Sequence, residues 1–423
     1  MSSVIPNNKE QLVFKLSFEE KLDRLAQVAV HSGLGLALGQ ELVVTATLDA
    51  VPLVRRITEH AYRAGATLVT TLLTDEDSTL LRYRYGPDAS FDWAPVWLYD
   101  GLAAAFRSGA ARLAVVGSNP SLLSQEDPQK VSRANRAMSK AYRPALELIT
   151  RQEINWTIVG CATPAWAAAV FPGLPRDEAT GQLWEAIFAA SRVDHPDPVA
   201  AWKEHDSKLH KRAALLNAKH YSALHFLGPG TDLRVGLADG HLWVGGGTTA
   251  ANGRYCIPNM PTEEIYTTPH KDRVDGHVTS TKPLSYQGTM IDKISVRFEG
   301  GRILEAHAAQ GEQVLQRMIE ADEGARRLGE VSLVPHSSPI ASSGLLFNNT
   351  LFDENAACHV ALGQAYSNCV EGGDHASPEE LATCGANESL IHVDWMIGSD
   401  LIDVDGITAN GDAEPVMRQG DWV

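Results

Sequence analysis

The sequence predicts a two-part molecule: an N-terminal α/β domain with a doubly wound, mostly parallel sheet, followed by a mixed α+β domain. Three observations predict it. Through the first half, apolar β-branched runs alternate with amphipathic helical stretches, the pattern of a parallel sheet covered on both faces. From about His220 the pattern becomes two-residue alternation broken by glycine-rich turns, which suits antiparallel strands. A chain of 423 residues is also long for a single core, so a division into residues 1–215 and 216–423 is expected.

The elements follow in order. Ser17 is placed to cap a first helix reaching Ser32, with Leu22, Leu25, Ala26 and Ala29 at helical spacing. Leu42 to Ala46 reads as a buried strand, Val51 to Ala64 as a helix closed by Gly65, and Thr67 to Leu73 as the next strand. Leu102 to Ser108 is a helix stopped at Gly109, Arg112 to Val116 and Trp156 to Gly160 are strands, and Pro164 to Val170 starts a helix. No GxGxxG fingerprint follows the first strand, and Gly117-Ser118-Asn119-Pro120 reads as a tight turn. The charged stretch Asp177 to His220 is helical, with the domain boundary between Ala213 and Leu227. Beyond it, Leu233, Val235 and Leu237 alternate as a half-buried strand, His241 to Val244 forms another, and Ile294, Val296 and Phe298 lead into a hairpin at Glu299-Gly300-Gly301-Arg302. Gly311 to Leu328 is expected to be one helix.

Composition narrows the function classes. A net charge of -16 repels phosphate backbones, which argues against a nucleic-acid partner. No apolar run is long enough to span a bilayer, and the N-terminus lacks the apolar core of a secretory signal, so a cytoplasmic protein without a membrane partner is expected. Five cysteines, an odd number without a CxxC pair, fit a reducing compartment.

Four segments of the second half concentrate metal-competent side chains. Between Pro258 and Pro269, prolines bracket Glu263 and Glu264 beside an extended run. Neighbouring side chains of an extended chain face opposite ways, so only one of the two can enter a given site; an exposed acidic loop would read the same. Glu330, in LGEVSLV, is expected at a helix C-terminus, where the dipole disfavours a carboxylate unless a cation or solvent offsets it. In the 348–366 segment, Asp353 or Asn355 can cap a helix carrying His359 on a small-residue face with Ala356 and Gly363, with Tyr366 about two turns on. A core histidine with an ordinary hydrogen bond is the plain alternative there. In IHVDWMIG, His392 and Asp394 lie two apart on a strand and so share a face, as metal donors or as a simple His–Asp pair. Three carboxylates, two imidazoles and a phenol, with no thiolate, suit Zn, Mn, Co or Mg. They outnumber the needs of one tetrahedral ion and suit two ions roughly 3.5–4 Å apart that share a carboxylate.

The strings PNMPTEEIYTTP, LGEVSLV, NTLFDENAACHVALGQAY and IHVDWMIGS closely resemble, in the same order, those of the thermophilic aminopeptidase family of metallopeptidases. The first half also resembles that family's N-terminal α/β domain. The resemblance implies a C-terminal metal-binding, catalytic domain in which Glu264, Glu330, His359, Tyr366, His392 and Asp394 hold two divalent ions (Zn, Co, Mn or Mg). Glu264 is preferred to Glu263 because it matches the second carboxylate of the TEE string. It further implies a homodimer acting on peptides with a free N-terminus, hydrolysing the first peptide bond by water activated between the ions. Glu263 and Glu330 are the candidate proton carriers, and Tyr366 the candidate donor to the tetrahedral oxyanion. Two other classes compete. His359, His392 and Asp394 alone would make the two-His-one-carboxylate set of a mononuclear non-haem iron, ring-cleaving dioxygenase of similar fold, but Glu264 and Glu330 would then have no task. A pure binding module would place its ligand at the strand ends of the first domain, where no loop names one.

Overall fold

The structure is a computed structural model and describes residues 16–286 and 289–423. The expectation about an N-terminal signal falls largely on residues outside these. Among the described residues, five parallel strands form the first sheet, in the order Leu68–Thr74, Glu41–Thr47, Ala111–Val116, Trp156–Gly160 and Asn259–Met260. Both faces are covered at the second strand. Leu42, Val44 and Ala46 of the second strand join one buried cluster, and Val43 between them joins another.

Local chemistry explains the first elements. Ser17 and Glu20 close a capping box at the start of the Phe18–Val28 helix. The widened turn that follows stops at Gly35 in the left-handed region, where an added Cβ would lie 2.0 Å from the Tyr255 carbonyl. The charged middle forms two helices, Arg176–Ala190 and Pro198–Lys219. No helix among the described residues is long and apolar enough to cross a membrane.

The second half is antiparallel. Eight strands form one sheet, from Arg302–His307 at one edge to Asp421–Trp422 at the other, and four form a smaller sheet in the order Ile265–Thr267, Leu328–Leu333, His359–Gly363 and His392–Met396. The two halves interlock. Asn259–Met260 supplies the last strand of the N-terminal sheet, and Ile340, Phe347, Leu351 and Phe352 pack into its core.

Four expectations are corrected. The 311–328 helix is only Glu312–Ile319, because the next residues are pulled into tertiary contacts: Asp322 accepts hydrogen bonds from Ala325 N and Ser389 Oγ, and a Cβ on Gly324 would strike the Glu388 carbonyl. Glu330 therefore lies inside the Leu328–Leu333 strand, and a helix dipole plays no part in its environment. The helix expected to carry His359 stops after Thr350–Asp353 and one tight turn at Glu354–Ala356, and His359 opens a strand. His241 and Val244 make isolated bridges, to Val370 and Tyr266, instead of a strand.

Candidate metal centre

One face of the four-stranded sheet carries the chemistry. Along His359–Gly363, Val360 and Leu362 enter the buried apolar cluster, so His359, Ala361 and Gly363 face the opposite way. Ala361 pairs with Glu330 on one side and Asp394 on the other, Gly363 pairs with His392, and His359 pairs with Ser332. Opposed residues of antiparallel strands share a face. The small Ala361 and Gly363 thus leave room over which the longer donors converge. Glu264, one residue before the edge strand, reaches in from the side and accepts a hydrogen bond from Ser332 Oγ at 2.9 Å.

The donors meet around Glu330. His359 Nε2 lies 3.2 Å from Glu264 Oε2 and 3.4 Å from Glu330 Oε1. The second Glu330 oxygen lies 3.4 Å from His392 Nε2, which is 3.4 Å from Asp394 Oδ1. Two three-residue groups result, Glu264–Glu330–His359 and Glu330–His392–Asp394, each with donor atoms within 4.8 Å of one another. Glu264, Glu330 and His359 are buried, while His392 and Asp394 are half-buried at the mouth.

These side chains fit a cation. His359 Nδ1–H donates to the Ala357 carbonyl at 3.1 Å and His392 Nδ1–H to the Gln364 carbonyl at 2.7 Å. Both rings are therefore fixed with Nε2 toward the carboxylates, the orientation a metal-ligating imidazole needs. Asp394 Oδ1 is shielded from solvent and accepts no hydrogen bond. The electrostatics also call for positive charge. Burial alone would depress the His392 imidazole, but Asp394 and Glu330 outweigh it and push it up to about 11. Burial is likewise overcome at His359, where Glu264 and Glu330 hold the imidazole well above its ordinary value. Burial raises the Glu264 carboxyl despite the compensating His359. The oxygen-and-imidazole donor set suits a divalent ion such as Zn, Co, Mn or Mg.

Tyr366 leaves the strand before reaching the cluster. Its ring lies 4.7 Å from that of His392 and 5.9 Å from that of Tyr266. The residue as a whole is 44% exposed, yet burial and the Glu330 and Asp394 charges push its phenol well above the usual range. The two agree if the ring meets solvent and the hydroxyl is turned inward. Glu263 points the other way, into an ion pair 2.7 Å from Arg192 Nη2.

The sequence reading missed Glu354. It sits on the turn before the His359 strand, and the hydrogen bonds it accepts from Asn259 and Asn355 are long, 3.4 and 3.5 Å, and leave it weakly engaged. Burial, then the charges of Glu264 and Asp394, push its carboxyl well above the ordinary carboxylate range. A cavity of about 40 Å³ opens beside it, lined among others by Leu284, Asn348, Thr350, Asp394 and Met396. The available signal was a second acidic residue, next to Asp353, in the string LFDENAACHVALG. Asp353, one candidate cap, instead clamps its own loop by accepting from Phe347 N and Asn349 N.

Known proteins resemble this chain over nearly its full length. The thermophilic metalloprotease (M29) family model matches residues 18–422. Aminopeptidase T of Thermus thermophilus is 53% identical over 407 residues, covering 96% of this chain and 99% of that protein. Aminopeptidase AmpS of Bacillus subtilis is 46% identical over 406 residues, with the same coverage. The solved structure of wild-type AmpT from Thermus thermophilus superposes with a TM-score of 0.92 at 52% identity, over 96% of this chain and 100% of that one. These named relatives are aminopeptidases, which leaves the dioxygenase alternative unsupported. The chain belongs to the thermophilic metalloprotease family and is a metal-dependent peptidase, related over nearly its full length to named aminopeptidases.

Proposed function

We propose that this peptidase releases N-terminal residues from peptides at a two-ion site held by Glu264, Glu330, His359, His392 and Asp394, with Tyr366 at its mouth. The observation that carries the reading is the position of Glu330, which presents one oxygen to each three-residue group. When bound, a pair of divalent ions supplies an acidified water and polarises the scissile carbonyl. The remaining tasks fall to side chains. Tyr366, kept protonated by its surroundings, donates a hydrogen bond to the developing oxyanion. Glu354 takes the proton of the attacking water and delivers it to the leaving amine. Of the two carriers first considered, Glu330 is engaged by both groups and Glu263 by Arg192. The cavity bordered by Glu354 and Asp394 is rich in carboxylate and suits an amine-bearing chain end. The names of the relatives support the same direction of attack.

The reading includes a cytoplasmic homodimer and a division of the chain into residues 1–215 and 216–423, with every proposed donor in the second part. Metal analysis of dialysed protein, combined with aminoacyl chromogenic substrates and their N-acetylated forms, tests it. Two ions per chain and cleavage of free-amine substrates alone are expected. Full activity with a single ion would sink the two-ion site, and cleavage of acetylated substrates would sink the exopeptidase assignment. Glu354→Gln should keep both ions and lose on the order of 10²–10⁴ in kcat.

A further inference from the structure

The first half of the chain reaches the metal centre through one buried ion pair. Arg192 lies just past the Arg176–Ala190 helix with φ of 59°, in the left-handed region, and its side chain is buried. A non-glycine residue holds that conformation only where its surroundings fix it. Its guanidinium lies 4.8 Å from the Trp202 ring, and Nη1 donates to the Ala190 carbonyl at 3.2 Å. Nη2 donates to Glu263 Oε2 at 2.9 Å, lies 2.7 Å from Oε1, and donates to His205 Nδ1 at 3.0 Å. Arginine has no acceptor, so His205 must carry its proton on Nε2, which donates to the Thr262 carbonyl at 2.8 Å. Burial, then the Arg192 charge, pushes His205 down to about 3, consistent with a neutral ring. The backbone N–H of Glu263 donates to Asn355 Oδ1 at 2.6 Å, beside Glu354.

Thr262 and Glu263 are thus gripped by side chain, carbonyl and amide immediately before Glu264. In an extended segment, fixing one side chain toward Arg192 sends the next to the opposite side, where Glu264 meets Ser332 and His359. We infer that Arg192, acting through Glu263, is a positioning residue that aims Glu264 at the metal centre and so sets the affinity of the Glu264–Glu330–His359 position. This rests on the two-ion reading. The other position, Glu330–His392–Asp394, lies on strands that the pair does not grip, and it should be insensitive.

Competitive chelator titration, together with melting of the metal-free protein, tests the inference on Arg192→Lys, Glu263→Gln and Arg192→Ala. Lysine is a point charge without the guanidinium fork, so Arg192→Lys keeps the buried charge and loses the geometry. One of the two ions should bind roughly 10–100-fold more weakly, the range typical when a ligand's supporting partner is lost. The second ion should bind as in the unsubstituted protein, and kcat should fall more than KM rises. Should Arg192→Ala fail to fold because Glu263 is left as an unpaired buried charge, the lysine and glutamine variants decide. Unchanged affinity for both ions in folded variants overturns the inference. So does an equal loss at both positions that tracks a lowered melting temperature, because that is what a general structural role produces. An unsubstituted protein that binds one ion, or none, overturns the two-ion reading instead and is recognised before any variant is compared.

Discussion

His359 and His392 each commit Nδ1 to a backbone carbonyl, and that single choice orients the whole site. With Nδ1–H donating, only Nε2 remains to face three carboxylates. Without a cation the site recruits protons in its place: His392 is pushed up to about 11 and His359 well above its ordinary value. The sign follows directly. A folded value above the unfolded value of about 6.5 means the stabilisation is fully present below about pH 6.5 and is lost as pH rises through about 11. Metal loading near pH 7.5 must therefore expel those protons. Calorimetric titration in two buffers of different ionisation enthalpy should show about two protons released per chain. Apparent metal affinity should rise with pH from 7 toward 11. Binding that is independent of pH, with no proton released, would contradict this account of the imidazoles.

The smaller antiparallel sheet works because its middle strand is thin on one face. Ala361 sits between Glu330 and Asp394, and Gly363 faces His392. Replacing Ala361 by leucine would push a branched side chain into the space where the donors converge, while Val360 and Leu362 stay in the core behind. Ala361→Leu should leave the sheet folded, with a melting temperature within a few degrees of the parent, and reduce bound metal below one ion per chain. Two ions retained would show that the gap over Ala361 is not part of the site. This element also marks where the sequence could be read. The strand of His392 and Asp394 was legible because His-x-Asp, with Val393 in the middle and Ile391 and Trp395 on either side, has the two-residue period of a strand. His359 was expected on a helix and lies on a strand, because alanine and glycine at helical spacing hid an equally good alternation of Cys358, Val360 and Leu362. Glu354 and Arg192 were invisible for a different reason. Their roles come from contacts across some 70 or more residues of chain, as in Arg192 with Glu263, and no local period encodes these.

At the scale of the whole molecule, the two parts named from sequence are not independent bodies. The second half lends a strand to the first sheet, and the first half grips the segment carrying Glu264. Among the described residues, the N-terminal part also exposes several large apolar side chains. Leu68 and Leu73 on the edge strand, Leu81 and Tyr85 on the next helix, and Trp93, Val96 and Trp97 beyond it are all exposed, the two tryptophans by 74% and 77%. Strands of parallel sheets are usually covered on both faces, and a concentration of large apolar side chains on a surface marks a contact site. We propose that a second copy of the chain covers this surface in the expected homodimer. Light scattering at micromolar concentration should give twice the chain mass for the parent protein. Trp93→Arg combined with Trp97→Arg should give the single-chain mass while keeping both ions, since the donors lie on the opposite half of the sequence. A monomeric parent with these tryptophans open to quencher would overturn the homodimer, and a double variant that stays dimeric would place the interface elsewhere. The edge strand would then need another explanation, since a strand left unpaired and apolar invites unwanted pairing.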